Sequence, residues 1–250
     1  MSLFQSVSGQ VLFCDFDGPI VDVSERYYRT YKLGLSTLQA TYREQHGEPL
    51  VLQLLSKKQF WFMKRNRVAD AEIALRSGVP ADLVDTLLSQ VQRIVNQPHL
   101  LQWDTVQIGA DRAMAQLKAK GLRLVIVTLR HPGQVQAFLQ AHGLSQYIDE
   151  IFGALDVDAA HLNRAEQKVS LLEQAIVAQK SQGYRVTPTC MIGDTEADII
   201  AGQRVGIATV AVTDGIRSHA YLKRHQPNAI TSNLLQALQT HHVHQVLQAA

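Results

Sequence analysis

Cysteine is scarce: Cys14 and Cys190 are the only two in 250 residues. Each lies in a short apolar run that ends in aspartate, so free, buried thiols in a reducing compartment are expected rather than a disulfide framework. Charge of one sign is also missing. With 24 basic against 22 acidic side chains the formal net charge is +2, which gives no electrostatic push toward nucleic acid or a membrane surface. No apolar run approaches the length of a membrane span, and Met1 to Gln10 lacks the basic start and long apolar core of a secretory leader. A cytoplasmic protein is therefore expected. Internal repeats and low-complexity linkers are absent, and the histidines near the carboxyl end, His241, His242 and His244, read as spare groups on a solvated helix rather than a metal site.

What remains is an ordinary globular composition, 46% hydrophobic and 18% charged, in a chain long enough for one domain or a core with a smaller insertion. Its organising stretch is Val11-Leu12-Phe13-Cys14-Asp15-Phe16-Asp17-Gly18. A continuous apolar run of this kind predicts a strand buried on both faces. Asp15 and Asp17 leave its carboxyl end, the edge at which open α/β sheets bind ligands, and Gly18 permits a sharp turn there.

Beyond Gly18 the pattern predicts helices. Asp22 and Glu25 are spaced as a capping box, and Tyr27, Tyr31, Leu35, Leu38 and Tyr42 form one apolar stripe that Gly47-Glu48-Pro49 ends. A second helical region contains Leu50 to Phe62. A third starts at Pro80 and carries Leu83, Leu87, Leu88, Val91 and Val95 on a common face. Residues 20 to 103 thus read as all-helical, without a strand, and mark an inserted domain. From Asp104 strands and helices alternate: helix 109–120, strand 122–128, helix 132–142, a short strand 151–153, a long helix capped by Asn163 and Glu166 that runs to Lys180, and strands 189–193 and 207–212. Ser232 to Gln248 is expected to be one last amphipathic helix. Alternation of this kind predicts a parallel sheet with helices on both faces.

Taken together, DFDG after a strand, Thr128 ending the run Leu122 to Val127, Lys168 near the start of a helix, and GDTEAD from Gly193 to Asp198 resemble the haloacid dehalogenase-like hydrolase superfamily. All four of its motifs occur in order, over residues from about 10 to 18 and about 104 to 215. Individually the motifs are weak; their joint occurrence is specific. The resemblance implies a Rossmann-like core of residues 1–19 and 104–250 and an all-helical cap of residues 20–103, of the phosphoglycolate phosphatase-like branch. One departure is Pro19, where many members have Thr or Val; proline removes an amide otherwise available to the phosphoryl group.

The same resemblance implies the chemistry. Asp15 is expected to attack phosphorus and form an aspartyl phosphate, and Asp17 to serve as general acid and then general base. Thr128 and Lys168 would hold the non-bridging oxygens, where charge builds during transfer. Asp194 and Asp198, four apart at a helix start, would bring four carboxylates together with Asp15 and Asp17, a cluster that a hard divalent cation relieves. Magnesium is the expected cofactor, held by Asp15, the carbonyl of Asp17 and Asp194, with Asp198 outer-sphere or orienting. Without that role Asp198 is a carboxylate favoured by the helix dipole. Lys64, Arg65 and Arg67 of the helical region, and Arg130 just past Thr128, are candidates to clamp an anionic substrate tail. For each, a solvated basic face or an ordinary loop is the plainer alternative.

The expected function is thus a magnesium-dependent phosphatase for a small phosphorylated metabolite, with no nucleic-acid or membrane partner, as a monomer or weak homodimer. A phosphosugar mutase would share every core residue. A non-catalytic binding module would have no need to retain them all, and a haloacid dehalogenase would not call for Asp17.

Overall fold

The structure is a computed structural model that describes residues 9–157 and 159–249. Most of the Met1 to Gln10 stretch read above lies outside the described residues. The chain divides into two compact units. One comprises the residues up to Asp22, Val106–Gly215 and those from Leu222 onward; the other comprises Val23–Thr105 with Ile216–Tyr221.

The first unit is built on an all-parallel six-stranded sheet. Its strands are β1 (Val11–Cys14), β4 (Arg123–Thr128), β5 (Glu150–Gly153), β6 (Cys190–Gly193), β7 (Ala208–Val212) and β8 (Ala229–Thr231), in the spatial order β5-β4-β1-β6-β7-β8. Between them run α6 (Ala110–Ala119), α7 (Pro132–Ala141), α8 (Ala159–Leu162), α9 (Ala165–Ser181), α10 (Glu196–Arg204) and α11 (His219–Lys223). All four residues of β1 are fully buried. That explains why the strand reads as an unbroken apolar run rather than an alternating one. Val11 and Phe13 pack with Val125, Val127 and Met191 of neighbouring strands and with Leu172, Ala175 and Ala201 of α9 and α10. From β1 the sheet first grows outward through β4 and β5, then returns to β6 on the other side. The order reverses between β1 and β6, and in open α/β sheets ligands bind at the carboxyl ends of the strands beside such a reversal.

The second unit is helical: α1 (Ser24–His46), α2 (Lys57–Arg65), α3 (Asp70–Arg76), α4 (Val84–Ile94) and α5 (Pro98–Leu101). The apolar stripe of α1 forms its core, with Tyr31, Leu35 and Leu38 packed among Phe60, Met63, Ile73 and Leu87. Gly47 ends α1 in the left-handed conformation, at φ 74°, which glycine adopts without a Cβ penalty. Arg26 and Asp104 are both buried and form an ion pair at 2.8 Å, and Arg26 donates again to Asn96 at 2.9 Å.

Several local expectations are corrected. Asp22 does not cap α1: Val21–Asp22 is a short strand, β2, paired with β3 (Thr105–Val106), so the helix starts one residue later at Val23, with no side-chain cap. The stretch 20–103 is accordingly not free of strand. Glu25 instead accepts bonds from Arg29 and Lys57. Residues 50–56 are not helical; α2 begins at Lys57 because Ser56 and Gln59 form a reciprocal capping box. Pro80 opens only a 3₁₀ turn, and α4 follows from Val84. Asn163 is left-handed at φ 47° and stands outside α9, whose first flanking residue is Arg164. The terminal helix is two, α12 (Leu234–Ala237) and α13 (His241–Gln248), because Thr240 starts a new helix by accepting from the Val243 amide. Strand β8 was not expected from the sequence pattern, and α3 and α5, inside the stretch read as helical, were not singled out as separate helices. Among the described residues no helix is long and apolar enough to cross a membrane.

Candidate active site

Three neighbouring strands deliver the site. Asp15 and Asp17 follow β1, Thr128 ends β4, and Asp194 follows β6. Parallel pairing sets their depth: Cys14 lies opposite Ile126 on one side and Ile192 on the other, and the Asp15 amide donates to the Ile192 carbonyl at 2.8 Å. Strand ends so aligned put residues from distant parts of the chain on one edge.

Lys168, in the first turn of α9, is buried and reaches two carboxylates, Asp15 Oδ1 at 2.8 Å and Asp198 Oδ1 at 2.7 Å. Burial alone would lower its pKa, but attraction to Asp15 and Asp198 outweighs it, and the ammonium is held well above its ordinary range. Asp15 is pushed the other way. Burial, then repulsion from Asp198, raise its carboxyl well above the usual carboxylate value despite the opposing pull of Lys168 and the Phe16 amide. That amide donates to Asp15 Oδ1 at 2.7 Å. Both contacts fall on Oδ1, so Oδ2 makes no hydrogen bond among the described residues.

Asp198 is fixed twice. Its Oδ2 accepts from the Thr195 amide at 3.0 Å and the Thr195 hydroxyl at 2.8 Å, as expected of a carboxylate at a helix start, while Oδ1 takes Lys168. Space around the acids is made by glycine. A Cβ on Gly18 or Gly215 would collide with the Asp194 carboxylate, and one on Gly193 with that of Asp198. At Gly18 the backbone also demands it, with φ at 97°. Gln107 ties the two loops that carry Gly18 and Gly215, donating to the carbonyls of Gly18 and Asp214.

Oxygens of Asp15, Asp194 and Asp198 lie within 4.8 Å of one another. The side chain of Asp17 is not among them. It turns to Arg130, whose Nη1 lies 2.9 Å from its Oδ1, while the guanidinium also covers the ring of Phe16. Three carboxylates and one ammonium sum to a formal −2 in a buried space, and a divalent cation would cancel that charge with the oxygen ligands it prefers. The residues therefore fit a magnesium ion held by Asp15 and Asp194. Thr128 is buried, and its Oγ accepts from the Arg130 amide at 3.2 Å, which leaves its hydroxyl proton for another acceptor.

The cationic candidates in the helical unit are not a solvated face throughout. Lys64 is largely buried and pairs with Asp70 at 2.7 Å. Burial lowers its pKa, Asp70 opposes that, and the nearby Arg217 and Arg67 add to the lowering. Arg65 offers its carbonyl to the Ser218 amide, and Arg67 is left-handed at φ 58°. Arg217 is a buried cation that the sequence pattern did not single out; it donates to the Lys64 carbonyl at 3.2 Å. Gln107, Thr195 and Gly215 were missed as well. Of these, Gly215, a glycine just beyond a strand end, and Thr195, spaced from Asp198 as in a capping box, carried a local signal.

A parallel sheet with acids following β1 and β6, and a lysine bonded to Asp15 and Asp198, defines an α/β protein with an acidic site at its carboxyl edge. Residues 11–212 match the family model described as haloacid dehalogenase-like hydrolase, and the chain belongs to that family, in its phosphatase branch. Among curated proteins it is 24% identical to "Probable phosphatase IndB" of Dickeya dadantii, over 91% of each chain. To the pyrophosphatase PpaX of Bacillus mycoides it is 22% identical, over 90% of this chain and 92% of that one. Among solved structures, a protein described as a predicted phosphoglycolate phosphatase from Haemophilus somnus superposes with a TM-score of 0.63 at 16% identity, covering 92% of this chain and 97% of the other. A haloacid dehalogenase-like family hydrolase from Streptococcus pneumoniae gives 0.61 at 19% identity with the same coverage.

Proposed function

We propose that this phosphohydrolase is magnesium-dependent, acts on a small phosphorylated metabolite and works through an aspartyl phosphate on Asp15. The observation that carries the reading is the state of Asp15: its Oδ1 is tied to Lys168 and the Phe16 amide, and its Oδ2 makes no hydrogen bond among the described residues. A carboxylate oriented through one oxygen presents the other as a nucleophile.

In the first step an Asp15 oxygen bonds to phosphorus as the ester P–O bond breaks, and the leaving oxygen takes a proton from Asp17. In the second, Asp17 accepts a proton from water, the water oxygen bonds to phosphorus, and the Asp15–phosphorus bond breaks to release phosphate. The ion pair with Arg130 favours ionised Asp17, the form needed as base, so the acid role requires that pair to open. Lys168 and the Thr128 hydroxyl meet the charge that builds on the phosphoryl oxygens. Asp15 and Asp194 would hold the magnesium ion, which would supply charge neutralisation and Lewis acidity when bound. The helical unit, by this reading, is a cap that selects the substrate, with Lys64, Arg65, Arg67 and Arg217 its candidate groups for a second anionic moiety.

The test is phosphate release from p-nitrophenyl phosphate and from a panel of phosphorylated metabolites that includes inorganic pyrophosphate, with and without magnesium. Magnesium-dependent release is expected. Absence of release from every panel member with any divalent metal would overturn the proposal, and net isomerisation of a phosphosugar would replace it with a mutase.

A further inference from the structure

The helical unit contains a cavity of about 500 Å³ whose lining belongs to that unit alone, between α1, the 52–54 segment and the residues around α5. Its size falls within the range of small-ligand pockets. Three large apolar side chains that are partly or mostly exposed, Leu33, Leu54 and Trp103, all line it. A single exposed leucine is ordinary, but three converging on one concavity mark a surface with a use.

The charges around this cavity have one sign. Arg29 and Lys32 are the charged side chains that line it, and among the described residues no acidic side chain does. Arg29 and Lys32, with Leu33, sit at positions i, i+3 and i+4 of α1, so they share a face. The Arg29 guanidinium lies 3.3 Å over the Trp103 ring and is braced by Glu25 at 2.7 Å, which fixes it before any ligand arrives. Glu25 is also bonded by Lys57 at 2.9 Å, so one carboxylate is divided between two cations and cancels only one of them. Lys32 lies 4.9 Å over the Tyr28 ring and makes no ion pair among the described residues.

We infer that this cavity is a second ligand site, for an amphipathic organic anion: a carboxylate or similar head group met by Lys32 and Arg29, on a hydrocarbon body laid against Leu33, Leu54 and Trp103. The inference does not depend on the phosphatase chemistry, since every residue it uses lies in the helical unit. An apolar body alone would leave Lys32 without an anion, and a bare inorganic anion would leave the apolar wall wet; a molecule with both parts satisfies both.

The experiment is isothermal titration of the full chain with decanoate below its micelle concentration, with decanol and inorganic phosphate as separate arms. Saturable binding of decanoate at one site per chain is expected, with decanol and phosphate at least about tenfold weaker, the size of one charge-assisted hydrogen bond. Lys32→Ala, at a half-buried position, and Leu54→Asp, at an exposed one, should each weaken decanoate by about tenfold or more. Turnover of p-nitrophenyl phosphate in these variants should stay as in the parent, which separates loss of this site from unfolding and from failure of the phosphatase reading. Equal binding of decanol, or decanoate affinity unchanged in both variants, would overturn the inference. So would a concentration-dependent dimer that Leu54→Asp dissolves, because the cavity would then be an interface between copies.

Discussion

Two buried ionic groups set the two units apart. In the helical unit Arg26 faces Asp104 at 2.8 Å, with Asn96 taking a further guanidinium hydrogen, so one positive charge meets one negative. At the end of β1 three carboxylates, Asp15, Asp194 and Asp198, come within 4.8 Å of one another, and the ammonium of Lys168 bonds two of them, Asp15 and Asp198. Both groups are removed from water, where unbalanced charge is expensive. The balanced group needs nothing more and holds two parts of one fold together. The unbalanced one is short of two positive charges, which a divalent cation would supply. The charge sum, rather than burial itself, distinguishes the structural cluster from the functional one.

The sharpest way to break this contrast is at Asp15. Asp15→Asn should lower phosphate release by about a thousandfold or more in steady-state assays, since a nucleophile has no substitute, while circular dichroism and the melting profile show an intact fold. Activity near that of the parent would remove Asp15 as nucleophile. The balanced pair should fail in the opposite manner. Arg26→Ala leaves Asp104 buried with its cation gone and should cost about 3–5 kcal/mol of stability in denaturant titration. A loss below about 1 kcal/mol would mean that water reaches the pair.

Smaller effects refine the comparison. Magnesium at a hundred times its dissociation constant should stabilise the parent by about 2.7 kcal/mol, raising the melting temperature. Asp194→Asn should abolish most of that shift, and a full shift in the variant would move the metal elsewhere. Among ion pairs the exposed one should matter least: Glu72→Gln, which breaks the i,i+4 pair with Arg76, should change stability by about 0.3–0.5 kcal/mol. A change approaching that of Arg26→Ala would contradict the ranking by burial.

Much of the core was legible because its signals are local. An apolar run such as Val11 to Cys14 reads as a doubly covered strand, and the boundaries of β4, β6 and β7 fall within one residue of the pattern. The helical unit was harder. Ser56 and Gln59 choose where α2 starts by bonding each other's backbone, a competition that hydrophobic spacing does not register. Asp22 has the composition of a helix cap but is drawn into β2 by pairing with a segment more than eighty residues away. In the site, the sequence pointed to Asp15, Asp17, Asp194 and Lys168. It contained nothing to indicate that Arg130 would turn to Asp17, or that Asp198, bonded to Thr195 across a capping-box spacing, would also hold Lys168.

The sequence alone determined which chemistry is on offer: acids directly after apolar strands, a strand-terminal threonine, and a lysine opening a helix. These are matters of residue type and short spacing, which local backbone preferences preserve. Only the tertiary structure decided how the charges are shared, placing Lys168 between two carboxylates and Asp17 with an arginine of its own. Partnership between side chains distant in the chain depends on strand order and register, and these follow from packing the whole sheet rather than from any one segment.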